Sequence, residues 1–218
     1  MTGVTDRVVL LAGATSDAGL AAARVLVDAG ARVIATGRDR AKLDALAGSV
    51  PGISTEVVDL TDEAAVDDLA TRVRGSIGPV DGLLHLVGGF RRGDGIPGQS
   101  DADWDALVSS LTALRHVSRA FYPDLVASSA GRFAIVSSTS AMKPHRNTAN
   151  YSTVKAASEA WTAALASGFA ADAPEKAAAV IFAVASLAGL EDALASRFVG
   201  LWNEDANALN GSRHVLSA

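Results

Sequence analysis

The chain has 218 residues, a formal net charge of −5, no cysteine, 49% hydrophobic and 20% charged residues. This is enough for one sizeable core, and no shift in composition marks a second domain, so a single domain over 1–218 is expected. The acidic balance argues against nucleic acid or an anionic membrane as partner, and the absence of cysteine excludes disulfides and thiolate metal sites and fits a cytoplasmic protein.

In chain order, the apolar run Val8–Ala12 ends at Gly13, and an alanine-rich helix is predicted from Ala18 to Ala29, closed by Gly30. A second strand follows over Arg32–Ala35, a polar-faced helix over Asp39–Ala47, and a third strand over Thr55–Leu60. Asp62 and Glu63 favour a helix start at 62–74, and Leu83–Val87 is the fourth strand, leading into a glycine-rich loop from Gly88 to Gly98. Ser100 and Asp103 resemble a capping box for a long helix to about Ala127, after which Arg132–Ser137 reads as strand five. A helix over 151–172 stops before Pro174, Val180–Ala185 is strand six, Glu191–Leu201 a helix and Arg213–Leu216 a last strand. Strands alternating with helices predict an α/β fold: one doubly wound, Rossmann-like parallel sheet of about seven strands with helices on both faces. The longest apolar stretch, Ala177–Leu190, is too short to span a bilayer, and MTGVTDRVVLLAG does not read as a leader, so no membrane association is expected.

Cofactors in such sheets bind beyond the carboxyl ends of the strands, where Gly13, Asp17, Gly19, Asp59, Gly88 and Ser138 all fall. The turn Gly13-Ala14-Thr15-Ser16-Asp17-Ala18-Gly19 opens a helix, so its amides suit a pyrophosphate; the same residues also suit an ordinary turn capped by Asp17. After strand two, Thr36-Gly37-Arg38 offers a small residue and an arginine where an acid would hold ribose hydroxyls, which favours NADP(H) over NAD(H).

Helical spacing places Tyr151 and Lys155 on one face, with Ser138 upstream at the end of strand five. A nearby ammonium is expected to lower the tyrosine pKa so that Tyr151 can exchange a proton with a substrate oxygen, while Ser138 holds that oxygen. Such a site suits hydride transfer at a C–O carbon. His85, His116, His145 and His214 have no ligand spacing, so no metal is expected; Trp202 is the candidate aromatic near the substrate.

Over roughly residues 6 to 186 the sequence resembles the short-chain dehydrogenase/reductase family. The resemblance carries the family's glycine loop onto Gly13, Asp17 and Gly19, with Thr15 and Ser16 between them, and its NADP-type arginine onto Arg38. Its adenine-contacting aspartate falls on Asp59, followed by Leu60, and its catalytic Ser, Tyr and Lys on Ser138, Tyr151 and Lys155. It implies that Lys155 also binds the nicotinamide ribose. The family's Asn-Asn-Ala-Gly appears as His85-Leu86-Val87-Gly88, its helix asparagine aligns with Ser110, and its Pro-Gly after strand six is Ser186-Leu187. These departures leave an NADP(H)-binding regulatory protein as the alternative to an enzyme acting on a small carbonyl or alcohol substrate. The substrate-covering segment is expected to be short, and the resemblance implies a homodimer or homotetramer built on the two long helices.

Overall fold

In the computed structural model, which describes residues 3–217, seven strands form one sheet in the order β3-β2-β1-β4-β5-β6-β7. They are β1 (Val8–Ala12), β2 (Arg32–Gly37), β3 (Ser54–Val57), β4 (Gly82–His85), β5 (Arg132–Ser138), β6 (Ala178–Val184) and β7 (Arg213–Leu216), and every pairing is parallel. The expected doubly wound sheet is therefore present. Its direction of growth reverses between β1 and β4, where the loops after both strands part and open a cleft.

The helices are α1 (Asp17–Asp28), α2 (Arg40–Ser49), α3 (Glu63–Ser76), α4 (Asp101–Ala127), α5 (Ala149–Asp172), α6 (Glu191–Gly200) and the single turn α7 (Ala206–Leu209). Alternation along each strand divides the core in two. One layer packs Val9, Leu11 and Phe182 against α1, α6 and α7; the other packs Leu10, Leu83 and Phe133 against α3, α4 and α5. The buried face of α1 is almost all alanine (Ala18, Ala21, Ala22 and Ala23), so α6 and the sheet approach it closely.

Two strands, β3 and β4, end earlier than the sequence predicts, for one reason. A strand ends where its neighbour leaves the sheet, and the residues themselves do not record that. Val58 and Leu60 continue the pattern of β3, but the ladder stops at the Gly37–Val57 pair because β2 turns there into α2. β4 stops at His85, opposite Ala12, where β1 turns away at Gly13. α5 begins at Ala149, two residues before Tyr151, and Gln99 Oε1 accepts from the Asn150 amide at 3.1 Å. That bond satisfies a first-turn donor which the helix's own N-cap, Thr148, leaves without a side-chain partner.

Trp202 is corrected outright. It is buried at the opposite end of the sheet, with Nε1 donating to the Ala130 carbonyl at 2.9 Å and its ring against Gly82 at the start of β4. Nearby, the buried Arg132 guanidinium has no carboxylate in hydrogen-bond contact. It donates to four backbone carbonyls: Leu201 at 2.9 Å, Gly131 at 2.9 Å, Lys176 at 2.9 Å and Glu204 at 3.2 Å. One side chain thus ties β5 to the segment after α6. Arg132→Ala, which leaves those carbonyls without these donors, is expected to lower unfolding stability by about 3 kcal/mol in urea titrations.

Candidate active site

Two cavities meet at the switch point. The first, of about 470 Å³, is lined by Ser16, Gly88, Phe90, Tyr151, Lys155 and the segment Val184–Leu187. The second, of about 230 Å³, is lined by Gly13, Thr15, Gly37, Arg38, Asp59 and Leu60. Ser16, Leu86, Val87 and Gly88 belong to both, so the two form one elongated cleft over the carboxyl ends of β1 and β4.

Backbone geometry shapes the middle of this cleft. Gly13 has φ +84°, and a Cβ there would meet Val87 Cγ2 at 2.7 Å. Only a residue without a side chain lets the β1 turn pass under the β4 loop. Gly19 is packed against Ala14 and Ser16 caps α1, accepting from the Gly19 amide at 3.3 Å, so the free amides at the start of α1 face the cleft. Asp17 is exposed and, with Lys42, lines an adjoining groove that shares Thr15 and Ser16 with the second cavity.

At the second cavity, a Cβ on Gly37 would lie 2.8 Å from Thr15 Cγ2, so a carboxylate cannot stand there unless Thr15 moves. Arg38 beside it is exposed and enters none of the ion pairs among the described residues. Asp59 accepts from the Thr61 amide at 2.9 Å and from the Thr61 hydroxyl at 2.7 Å. Those bonds, with a smaller contribution from Arg38, hold its carboxyl below the usual range against a modest opposing effect of burial.

At the first cavity, α5 carries Tyr151 and Lys155 over the end of β5. Lys155 Nζ donates to the Val136 carbonyl at 2.8 Å and lies 5.9 Å from the centroid of the Tyr151 ring. A Cβ on Gly88 would stand 3.4 Å from the same ammonium. Ser138, buried, stands near enough to Tyr151 to draw the phenol's pKa downward. Ser138 Oγ accepts from the Ser140 amide at 3.2 Å and the Ser140 hydroxyl at 3.0 Å, which leaves its own proton to donate. Ser138, Tyr151 and Lys155 are thus brought together. Ser110 is not part of that group: its hydroxyl donates to the Leu107 carbonyl of its own helix at 2.6 Å.

The electrostatics correct one expectation. The Tyr151 pKa is raised above its ordinary value, because burial outweighs the opposing effect of Ser138. The ammonium, over the ring and donating to Val136, does not offset that burial. Burial also pushes Lys155 down to about 8, with Glu159 pulling weakly upward.

Sequence reasoning passed over several supporting groups. Phe90 stands edge-on to Tyr151, centroids 5.1 Å apart, and walls the cavity mouth. Asn147 ties the glycine-rich loop to the head of α5 through its carbonyl to Gly93 N at 2.9 Å and its Oδ1 to Gly95 N at 3.1 Å. Glu159, one turn beyond Lys155, receives Ser137 Oγ at 2.6 Å and Arg213 Nε at 3.0 Å, and Arg213 also reaches the Ser138 carbonyl at 3.2 Å. Only Glu159 carried a sequence signal, its four-residue spacing from Lys155. His145 caps a short turn through Nδ1 to Asn147 N at 3.2 Å.

The sequence profile described as short chain dehydrogenase matches residues 7–191. The chain belongs to the short-chain dehydrogenase family. Among curated relatives, 2,3-dihydro-2,3-dihydroxybenzoate dehydrogenase of Bacillus subtilis (strain 168) is 30% identical over 168 residues, 75% of this chain and 64% of that protein. The chain thus spans just under two thirds of that relative's length. An uncharacterized oxidoreductase of Staphylococcus aureus (strain USA300) is 29% identical over 160 residues, 72% of this chain and 69% of its own. Among solved structures, a metagenomic short-chain oxidoreductase in complex with NADP superposes with TM-score 0.86 at 24% identity, covering 100% of both chains. L-sorbose reductase from Gluconobacter frateurii, complexed with NADPH and L-sorbose, gives 0.85 at 21% identity over 99% of this chain and 97% of that one. These structural likenesses concern the fold.

No helix among the described residues is long and apolar enough to cross a membrane, and no cluster of metal-ligating side chains occurs among them.

Because Lys155 is held near 8 when folded against an ordinary 10.5, the unfolded chain binds the extra proton between those values. Folding stability then rises with pH across that window. Relative to Lys155→Met, the unmodified protein is expected to gain about 2 kcal/mol between pH 7 and pH 10, measured by paired urea titrations.

Proposed function

We propose that the protein is an NADP(H)-dependent oxidoreductase that moves hydride between the nicotinamide and a carbonyl or secondary alcohol, with Ser138, Tyr151 and Lys155 as its catalytic groups. The observation that carries this reading is that Tyr151 and Lys155 line one end of a cleft whose other end is lined by Gly37 and Arg38. The cleft fits a dinucleotide on this chain's own geometry. The amides of α1 and the tight approach at Gly13 suit a pyrophosphate, and Asp59 and Leu60 flank the adenosine end. Gly37, closed to an acid by Thr15, together with the exposed Arg38, suits a 2′-phosphate. The NADP and NADPH bound by fold neighbours agree with that preference.

When bound, the nicotinamide supplies or receives the hydride. Tyr151, its phenol held protonated by burial, is an acid poised to give a proton to the oxygen of a carbonyl being reduced. Ser138 donates to the same oxygen with a hydrogen freed by the two bonds from Ser140. Lys155, cationic at neutral pH, favours the phenolate left behind. Its protonation near 8 sets an upper limit, so carbonyl reduction is expected to decline as pH rises past that value.

NADPH oxidation over a panel of aldehydes and ketones tests the reading. Tyr151→Phe is expected to lose roughly 100-fold or more in kcat while still binding NADPH; unchanged turnover would remove Tyr151 from its role. Arg38→Ala is expected to weaken NADPH by roughly 10- to 100-fold and leave NADH nearly unaffected, as read by nucleotide fluorescence titration.

A further inference from the structure

Glu159 is a buried carboxylate, one turn beyond Lys155 on α5, to which the reaction proposed above gives no role. Arg213 of β7 holds it with both arms of the guanidinium: Nε donates to Oε2 at 3.0 Å and Nη2 to Oε1 at 3.2 Å. The pair is also tied to two consecutive residues of β5. The Ser137 hydroxyl donates to Glu159 Oε1 at 2.6 Å, and the same Arg213 Nη2 donates to the Ser138 carbonyl at 3.2 Å. β7 is the edge strand, separated from β5 by β6, so this one side chain spans a whole strand to reach Ser138.

Burying an ion pair seldom adds stability over an apolar pair of the same size, because both charges lose their hydration. What these charges add is direction. Ser138 is the last residue of β5 paired with β6, opposite Val184, and the chain then turns into the short 3₁₀ segment Thr139–Ala141. Beyond that pair the ladder no longer holds the backbone. The two bonds fall on either side of the Ser138 side chain, one on the residue before it and the other on its own carbonyl, and together they fix the backbone from which the Ser138 hydroxyl projects. A lysine at position 213 can still pair with Glu159, but a single ammonium lacks the planar fork that grips a carboxylate and a carbonyl together.

We propose that Arg213 is a positioning residue: through the fork it shares between Glu159 and the Ser138 carbonyl, the last strand of the sheet sets where the Ser138 hydroxyl stands. Its effect on turnover rests on the function proposed above; its hold on the end of β5 does not.

The test compares Arg213→Lys, which keeps a cation beside Glu159, with Arg213→Met, which removes it. In ¹³C,¹⁵N-labelled, cofactor-free protein the Ser138 carbonyl carbon is read through the Thr139 amide, and both variants are expected to move that resonance upfield as the carbonyl loses a charge-assisted donor. The urea midpoint of Arg213→Lys is expected to stay close to that of the unmodified protein, which separates positioning from loss of fold. In NADPH-dependent reduction of an aldehyde or ketone, kcat is expected to fall roughly 10-fold or more in both variants, with NADPH affinity unchanged. Because Arg213 acts through Ser138, adding Arg213→Lys to Ser138→Ala is expected to lower kcat no further. An unmoved Ser138 resonance overturns the proposal, as does a moved resonance with kcat unchanged, or an Arg213→Lys effect that persists in full on Ser138→Ala. A resonance that moves in a protein whose unmodified form reduces no aldehyde or ketone leaves the hold on β5 standing and sinks the proposed function.

Discussion

The bond from Lys155 Nζ to the Val136 carbonyl joins the two pieces of chain on which the site depends. It fixes the first turns of α5 over the carboxyl end of β5, and so sets where Tyr151 stands relative to Ser138. Beneath it, Glu159 gathers Ser137 from β5 and Arg213 from β7, so a second layer of polar contacts resists sliding of the helix over the sheet. Above it, Gly88 passes close by: a Cβ there would stand 3.4 Å from the ammonium, in ordinary contact. The cation is costly to bury, as its lowered pKa records.

The rest of the architecture delivers backbone to that point. Reversal of strand order between β1 and β4 opens the cleft, and the alanine face of α1 brings the first turn down onto the sheet edge. On the substrate side the wall is a glycine-rich loop with no regular structure, yet Asn147 and Gln99 knit it to the head of α5. Phe90, at its near end, leans on Tyr151. Only residues 185–190 separate β6 from α6, which packs against α1, so little chain is available to cover the cavity from that side.

Elements with a period and a punctuating residue were legible in the sequence. Val8–Ala12 ended by Gly13, the alanine-rich α1, the Ser100–Asp103 cap and the last strand at Arg213–Leu216 all lie where local chemistry puts them. Properties owed to distant chain were not legible. β3 and β4 stop where β2 and β1 depart, and Trp202 sits under β4 because Gly82 makes room for its ring. The Tyr151 pKa turned on burial, which a four-residue spacing to lysine cannot express. The residues of the candidate site could be named from the sequence. The groups that hold them, Ser140 and Asn147, could not, because their contacts are made by the fold.

The contact between Gly37 and Thr15 has an implication for how this chain can change. Adding a carboxylate after β2, the simplest way to recruit ribose hydroxyls, brings a new Cβ against the Thr15 methyl at 2.8 Å. Serine at position 15, lacking that methyl, removes the obstacle beforehand. The order of substitutions therefore matters: the alteration at 15 opens a route that the alteration at 37 alone meets as a steric barrier, so the residue tolerated at 37 depends on the residue at 15.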